Sequence, residues 1–232
     1  MNRALLTIDD VSSRNTPALV DYLNERGIQA IMFATGNHVE RFYEEACYAV
    51  KHGMIVGNHS YSHPAFSALT LEEGIGQIEQ CEAVLDRLYR DCGVERQYRP
   101  FRFPYGDKGG KNKDALQQYL REKQFDKVDD SHIPYAWWKE NGLNTDVDTF
   151  WTFDFEEYRM QGEPDFTRDS IWAKMHAVNP KSGAALFGEN QQHILLLHDH
   201  AETEQLLPGY YRLFIDHALE EGLTFMKPAF IR

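Results

Sequence analysis

Basic charge is the first thing this chain is short of: 24 lysines and arginines stand against 36 aspartates and glutamates, leaving a net charge of −12 over 232 residues. Nucleic-acid binders need a basic face to displace counterions from phosphate, so that class of partner is argued against. Cysteine is scarce as well. Cys47, Cys81 and Cys92 are odd in number, never spaced as CxxC and set in helix-like sequence, which implies neither a disulfide framework nor a thiolate zinc site. Reduced, buried cysteines are the expectation. No apolar run is long enough to span a bilayer, so membrane insertion is not expected. The opening MNRALLTIDD lacks the apolar region of a signal peptide, and a soluble, cytoplasmic chain is expected. No internal repeat or low-complexity segment interrupts the sequence. With 42% hydrophobic and 13% aromatic residues, it can bury one large domain over residues 1–232.

What is present alternates. Short apolar runs at 4–8, 29–33, 54–57, 98–103, 149–153, 193–197 and 223–226 read as strands. Between or after most of them lie helical patterns. Thr16 as N-cap and Pro17 at the first helical position open one that Gly27 can close; another runs from about Val39 to His52 before Gly53. Thr70 and Glu73 form a capping-box pattern ahead of a helix reaching about Tyr89, and further helical segments fall near 112–123, 168–178 and 203–221. This alternation predicts an α/β fold with a parallel sheet, open or closed into a barrel. Residues 107–148 are irregular, with aromatics at Tyr135, Trp137 and Trp138, and read as a partly helical excursion over one face.

The polar residues fall in one kind of place. Asp9 and Asp10, His59 and His63, Arg102 with Tyr105, Asp154, and His198 each lie at or just beyond the C-terminal end of a predicted strand, the end that carries the chemistry in parallel α/β barrels. His59 and His63 have i, i+4 spacing, which on a helical turn places two imidazoles on one side. With a carboxylate such as Asp10 they make a two-histidine, one-carboxylate set with open positions. Adjacent side chains point apart, so one of Asp9 and Asp10 can bind metal while its neighbour faces a metal-bound water. His198, followed by Asp199 and His200, is either a strand cap or an acid whose imidazolium a nearby carboxylate stabilises.

At these residues the chain resembles the polysaccharide deacetylases, the carbohydrate esterase family 4 that shares the NodB homology domain. Thr7-Ile8-Asp9-Asp10 is similar to the first motif, T-F-D-D, which implies Asp9 as general base and Asp10 as metal ligand. His59-Ser60-Tyr61-Ser62-His63 resembles the second, H-[ST]-x-x-H, and implies two further ligands. Arg102-Phe103-Pro104-Tyr105-Gly106 is similar to the third, R-x-P-Y-G, implying that Arg102 hydrogen-bonds the catalytic aspartate and that the Tyr105 backbone N–H holds the oxyanion. Leu196-Leu197-His198 resembles the fifth, L-x-H, implying His198 as general acid beside Leu196 in an acetyl pocket. Two positions depart from the family: Val11 stands where glycine is usual, and the fourth motif, D-x-x-D-W, reads Asp154-Phe155-Glu156-Glu157-Tyr158. Glu157 then replaces the aspartate that tunes the histidine and Tyr158 the tryptophan that walls the groove, with Asp154 as the alternative tuner.

The resemblance implies an irregular (β/α) barrel of about seven strands and a divalent metal, usually Zn²⁺ with Co²⁺ or Mn²⁺ in some members. It also implies hydrolysis of the N-acetyl amide of a sugar. Trp137, Trp138 and Tyr135 are candidates for stacking on pyranose faces, or else bury the excursion. Rival readings are another amide or cyclic-amide hydrolase on the same scaffold, an Fe(II) oxygenase using the two-histidine, one-carboxylate set, and a carbohydrate-binding protein without turnover. The oxygenase reading leaves Asp9, Arg102 and His198 without tasks.

Overall fold

Leucine, isoleucine and alanine occupy both faces of the first strand, β1 (Arg3–Val11), and all its residues after Arg3 are buried, as befits the centre of a parallel sheet. The computed structural model describes residues 2–231. The other strands are β2 (Ile31–Ala34), β3 (Ile55–Asn58), β4 (Lys127–Val128), β5 (Phe153–Asp154), β6 (Gln192–His198), β7 (Thr224–Phe225) and β8 (Phe230–Ile231). The main sheet runs β3-β2-β1-β6-β5, all parallel, with β7 paired to the first residues of β1; β4 and β8 form a separate antiparallel pair. Register aligns the C-terminal ends: Asp9 lies opposite His198, Val11 opposite Ala34, Ala34 opposite Asn58, and Asp154 opposite Leu196.

The α/β class and the parallel sheet are as expected; the count of about seven strands is met only in part. The run at 98–103 contributes a single bridge, Asn58 with Phe101, and the run at 149–153 becomes a strand only at Phe153–Asp154. Pro100 lies within the first of these and Pro104 directly follows it, and neither has the N–H that a ladder needs. Backbone bonds still tie the segments together, from Arg102 N–H to the Asn58 carbonyl at 3.0 Å and from Thr149 N–H to the Phe101 carbonyl at 2.8 Å. Gly57 allows the approach, since a Cβ there would lie 2.7 Å from the Pro100 carbonyl oxygen.

The helices are α1 (Thr16–Glu25), α2 (Gly36–Arg41), α3 (Tyr43–Lys51), α4 (Leu71–Cys92), α5 (Lys113–Glu122), α6 (Ala136–Glu140), α7 (Arg168–Met175), α8 (Ala201–Leu206) and α9 (Tyr210–Glu220). The capping box of Thr70 and Glu73 forms as read, and α4 ends on left-handed Gly93. Three expectations are corrected. Asn15, not Thr16, is the N-cap of α1, because the buried Thr16 hydroxyl instead accepts the Ser13 N–H and donates to Asp199. The helix expected over 39–52 breaks at Phe42 into α2 and α3, and that over 203–221 breaks before α9, where Leu207 precedes Pro208 and so leaves the helical region.

Alternation along the strands sends the sheet's side chains into two of three apolar clusters, the third gathering around Phe66, Phe101 and Phe103. Leu6, Ile8, Met32 and Leu195 pack with α1, α3, α4 and α9, while Leu5, Ile31, Phe33 and Ile194 face Val128, Ile133, Trp138 and Leu143 of the excursion. The excursion therefore supplies the cover for the second face of the sheet. Cys47 on α3 and Cys92 on α4 are joined as a disulfide with Cα atoms 5.8 Å apart, contrary to the reduced pair expected, while Cys81 is free and buried as read. Packing between neighbouring helices brings these two together across 45 residues of sequence. Among the described residues no helix is long and apolar enough to cross a membrane.

Candidate active site

The loops leaving the aligned strand ends hold five non-glycine residues at positive φ: Asp10 (62°), Ser60 (68°), His63 (59°), Tyr105 (58°) and Glu156 (58°). A left-handed residue other than glycine costs on the order of 1–3 kcal/mol, and such strain persists where surrounding structure over-determines it. At Asp10 the turn separates the paired aspartates. Asp9 Oδ1 accepts from Arg102 at 2.7 Å, while Asp10 Oδ1 lies 3.3 Å from His63 Nε2. The His59–His63 segment is not the helical turn suggested by its spacing. Asn58 Oδ1 accepts the Ser60 N–H and Ser60 Oγ accepts the His63 N–H, folding the segment into a left-handed kink that still brings both rings together, 4.9 Å between centroids.

Asp10, His59 and His63 each offer one donor atom, all within 4.8 Å of one another. The Arg102 carbonyl, which can only accept, lies 2.8 Å from His59 Nδ1; Nδ1 therefore carries the hydrogen and Nε2 keeps its lone pair. Burial, only partly offset by the charge of Asp10, lowers His63 to about 4, so its imidazole is neutral at pH 7. Burial opposes ionisation of Asp10, but the hydrogen bond from His200 and the charges of His59 and His63 prevail and hold it far below the ordinary carboxylate range. Two imidazoles and a carboxylate are the donor types a Zn²⁺-like cation takes, so this set fits the implied divalent metal.

Beside this set stand two further pairs. Arg102 is fully buried and fixed by the Thr7 hydroxyl at 2.8 Å and the Thr149 carbonyl at 2.9 Å, which aims its NH1 at Asp9. Glu157, also fully buried, accepts the His198 N–H at 2.5 Å and lies 3.1 Å from His198 Nδ1. Burial works against the His198 imidazolium, yet the charge and hydrogen bond of Glu157, with Asp154 added, raise it to about 10. Asp154 is itself pushed up to about 6 by burial and accepts the Glu156 N–H. Of the two carboxylates left open by the sequence, Glu157 is the one in hydrogen-bond contact with His198.

Asp9, Asp10, His59, His63, Asp154 and His198 line a cleft of about 420 Å³ walled by Tyr105, Trp151, Tyr158 and Leu196, with Arg102 and Glu157 buried behind it. Tyr105 is 70% exposed at the rim and packs edge-on to His63; Tyr158 packs edge-on to His198. Gly106 makes room for the Trp151 wall, as a Cβ there would come within 2.8 Å of the indole. Trp137 and Trp138 do not line the cleft. Trp138 is buried with its indole N–H on Asp130 and Trp137 stacks on Tyr135, so they seat the excursion on the sheet. Trp151, Gln161 and His200 line the cleft without having been singled out from the sequence. His200 was adjacent to a named residue, and Trp151 lay within a predicted strand. A larger hollow of about 500 Å³ around Arg121, Phe125 and Lys127 contains no histidine and lies apart from this chemistry.

Comparison with known proteins places this geometry. A family model described as polysaccharide deacetylase matches residues 2–126. A peptidoglycan-N-acetylglucosamine deacetylase from Bacillus cereus is 32% identical over 103 residues, 44% of this chain and 36% of its own. A chitin deacetylase from Cryptococcus neoformans is 36% identical over 103 residues, 44% of this chain and 21% of its own, so the chain spans about a third or less of these relatives. Among solved structures, a peptidoglycan N-acetylglucosamine deacetylase superposes with a TM-score of 0.65 at 20% identity, covering 97% of this chain and 85% of that one. A CE4 family pseudoenzyme from Bacillus anthracis superposes at 0.63 and 19% identity, covering 97% and 64%. The fold is thus shared with an enzyme and a pseudoenzyme alike. The family model spans more than half of the sequence, including the first three site segments, and the chain belongs to the polysaccharide deacetylase family.

Proposed function

We propose that the chain is a metal-dependent hydrolase that removes the acetyl group from an N-acetylated sugar, releasing acetate. One observation carries the reading: a proton acceptor oriented by Arg102 and a protonated histidine held by Glu157 face the same cleft as the three-donor set. A pseudoenzyme has no need to keep both. The oxygenase alternative leaves both pairs without a task.

Asp10, His59 and His63 would hold the divalent cation, Zn²⁺ first and Co²⁺ or Mn²⁺ as substitutes; when bound it lowers the pKa of water toward about 7 and polarises the acetyl carbonyl. Asp9 takes the proton of the attacking water. Its bond to Arg102 keeps one oxygen occupied and leaves the other 3.4 Å from His59 Nε2, beside the donor set. The backbone N–H of Tyr105 supports the oxyanion as the carbonyl carbon becomes tetrahedral. His198 then delivers a proton to the nitrogen as the C–N bond breaks, yielding the amine and acetate. The raised pKa of His198 ensures that it holds this proton at neutral pH. Leu196 supplies apolar contact for the acetyl methyl, and Tyr158 and Trp151 offer faces to the sugar.

The carbohydrate partner is an N-acetylglucosamine-containing polymer or oligomer, a class suggested by relatives named for peptidoglycan and chitin. Acetate release from N-acetylglucosamine oligomers tests this, using metal-stripped protein with and without added Zn²⁺, Co²⁺ or Mn²⁺. Metal-restored release is the expected result. No release from protein that binds metal stoichiometrically would move the reading to another amide.

A further inference from the structure

The Asp10 carboxylate meets three imidazoles, and only two belong to the donor set. Its Oδ1 lies 3.3 Å from His63 Nε2 and 3.9 Å from His59 Nε2, whereas Oδ2 lies 2.8 Å from Nε2 of His200. His200 sits two residues past the end of β6 as the N-cap residue of α8. Its other ring nitrogen, Nδ1, is 3.0 Å from the Gln161 side-chain amide, which also reaches the Thr203 hydroxyl at 2.9 Å. An ionised carboxylate only accepts hydrogen bonds, so the 2.8 Å contact requires the hydrogen on Nε2. A nitrogen that carries a hydrogen has no lone pair for a cation. With the Gln161 amide nitrogen on Nδ1 and the carboxylate on Nε2, the ring is pinned at both nitrogens and His200 is fixed as a donor to Asp10.

We propose that His200 is a positioning residue that reserves Asp10 Oδ2, so that the carboxylate presents Oδ1 alone to a metal shared with His59 and His63. The proposal rests on the metal site put forward above but makes a separate claim. The terminal torsion of an aspartate is broad and nearly two-fold, so a carboxylate with one free oxygen is held only weakly in orientation. Asp10 also sits, left-handed, where the β1–β2 register shifts between Ile8 and Val11, so the regular ladder does not aim its side chain. Occupying Oδ2 removes the rotation and prevents chelation by both oxygens, which keeps open the positions needed by water and the substrate carbonyl. Partners of this kind, one bond away from a ligand atom, typically contribute ~10–100-fold in metal affinity.

The test is the dissociation constant for Zn²⁺, measured by competition with a chromophoric chelator on metal-stripped protein. Wild type, His200→Ala, His200→Gln and His59→Ala are compared, with circular dichroism confirming that each is folded. Glutamine places an N–H donor close to where Nε2 stood. Expected are a loss of ~10–100-fold in affinity for His200→Ala and a value near wild type for His200→Gln. Unchanged affinity in His200→Ala overturns the proposal while leaving the metal site intact. Equal weakening in both His200 variants also overturns it, because the N–H would not be what matters. Binding by wild type no tighter than by His59→Ala would instead remove the metal reading itself.

Discussion

Replacing Glu157 with glutamine changes one charge and little else, which makes the contact with His198 open to quantitative test. The amide keeps an oxygen to accept the His198 N–H, so the backbone contact at 2.5 Å can survive. What disappears is the negative charge that, with Asp154, outweighs burial and raises His198 to about 10. Without it, burial gains the upper hand and the imidazole moves down toward or below its ordinary value near 6.5. A histidine whose folded pKa is raised contributes stability that is fully present below about 6.5 and is lost as pH climbs through the folded value. The deficit of Glu157→Gln relative to wild type should therefore be largest near pH 6, shrink as pH rises from about 6.5 to about 10, and be gone above that. Its size should be about 3 kcal/mol, within the usual range for removing one partner of a buried pair. Chemical denaturation of metal-free protein at several pH values reads the deficit, and NMR of the labelled imidazole reads the pKa. In the loaded enzyme, the basic limb of the pH–rate profile should move to lower pH. An unmoved His198 titration and an unmoved basic limb would refute Glu157 as the residue that tunes His198 and return the role to Asp154.

Asp9→Asn should lower turnover ~10²–10⁴-fold while retaining zinc, as removal of a general base does; near-normal rates in steady-state assays would show that Asp9 is not the base. Trp138→Ala should destabilise the fold by about 3–5 kcal/mol by opening a cavity beneath the excursion. Trp151→Ala should be the milder change in thermal denaturation but should raise KM for oligosaccharides. The reverse pattern would mean that the cleft wall has been misassigned.

The aligned strand ends were legible because apolar runs, turn residues and capping signals are local, and Asp9, Asp10, Arg102 and His198 follow directly from where those runs stop. The capping box at Thr70 is written in four consecutive residues. The path between His59 and His63 was not legible, since an i, i+4 pair meets equally well across a kink held by Asn58 and Ser60 side chains. His200 was passed over because its partner Asp10 lies 190 residues away, beyond any periodicity. The choice between the two readings of Trp138 was left open, and Cys92 was misread, for the same reason. Their surroundings are set by how the excursion meets the sheet and how α3 meets α4, and neither contact leaves a pattern within one segment. Strand length failed on a different count: at 98–103 Pro100 lacks a ladder N–H, and at 149–153 the buried Arg102 guanidinium claims the Thr149 and Phe150 carbonyls.

The most direct test of the central claim is a diffraction experiment at the zinc absorption edge on crystals of zinc-loaded protein. The expected map has an anomalous peak about 2.0–2.2 Å from Asp10 Oδ1 and the Nε2 atoms of His59 and His63, with His200 outside bonding distance. A peak only at the exposed cluster of His176, His217 and Glu221, or none in a protein shown to release acetate, would contradict it.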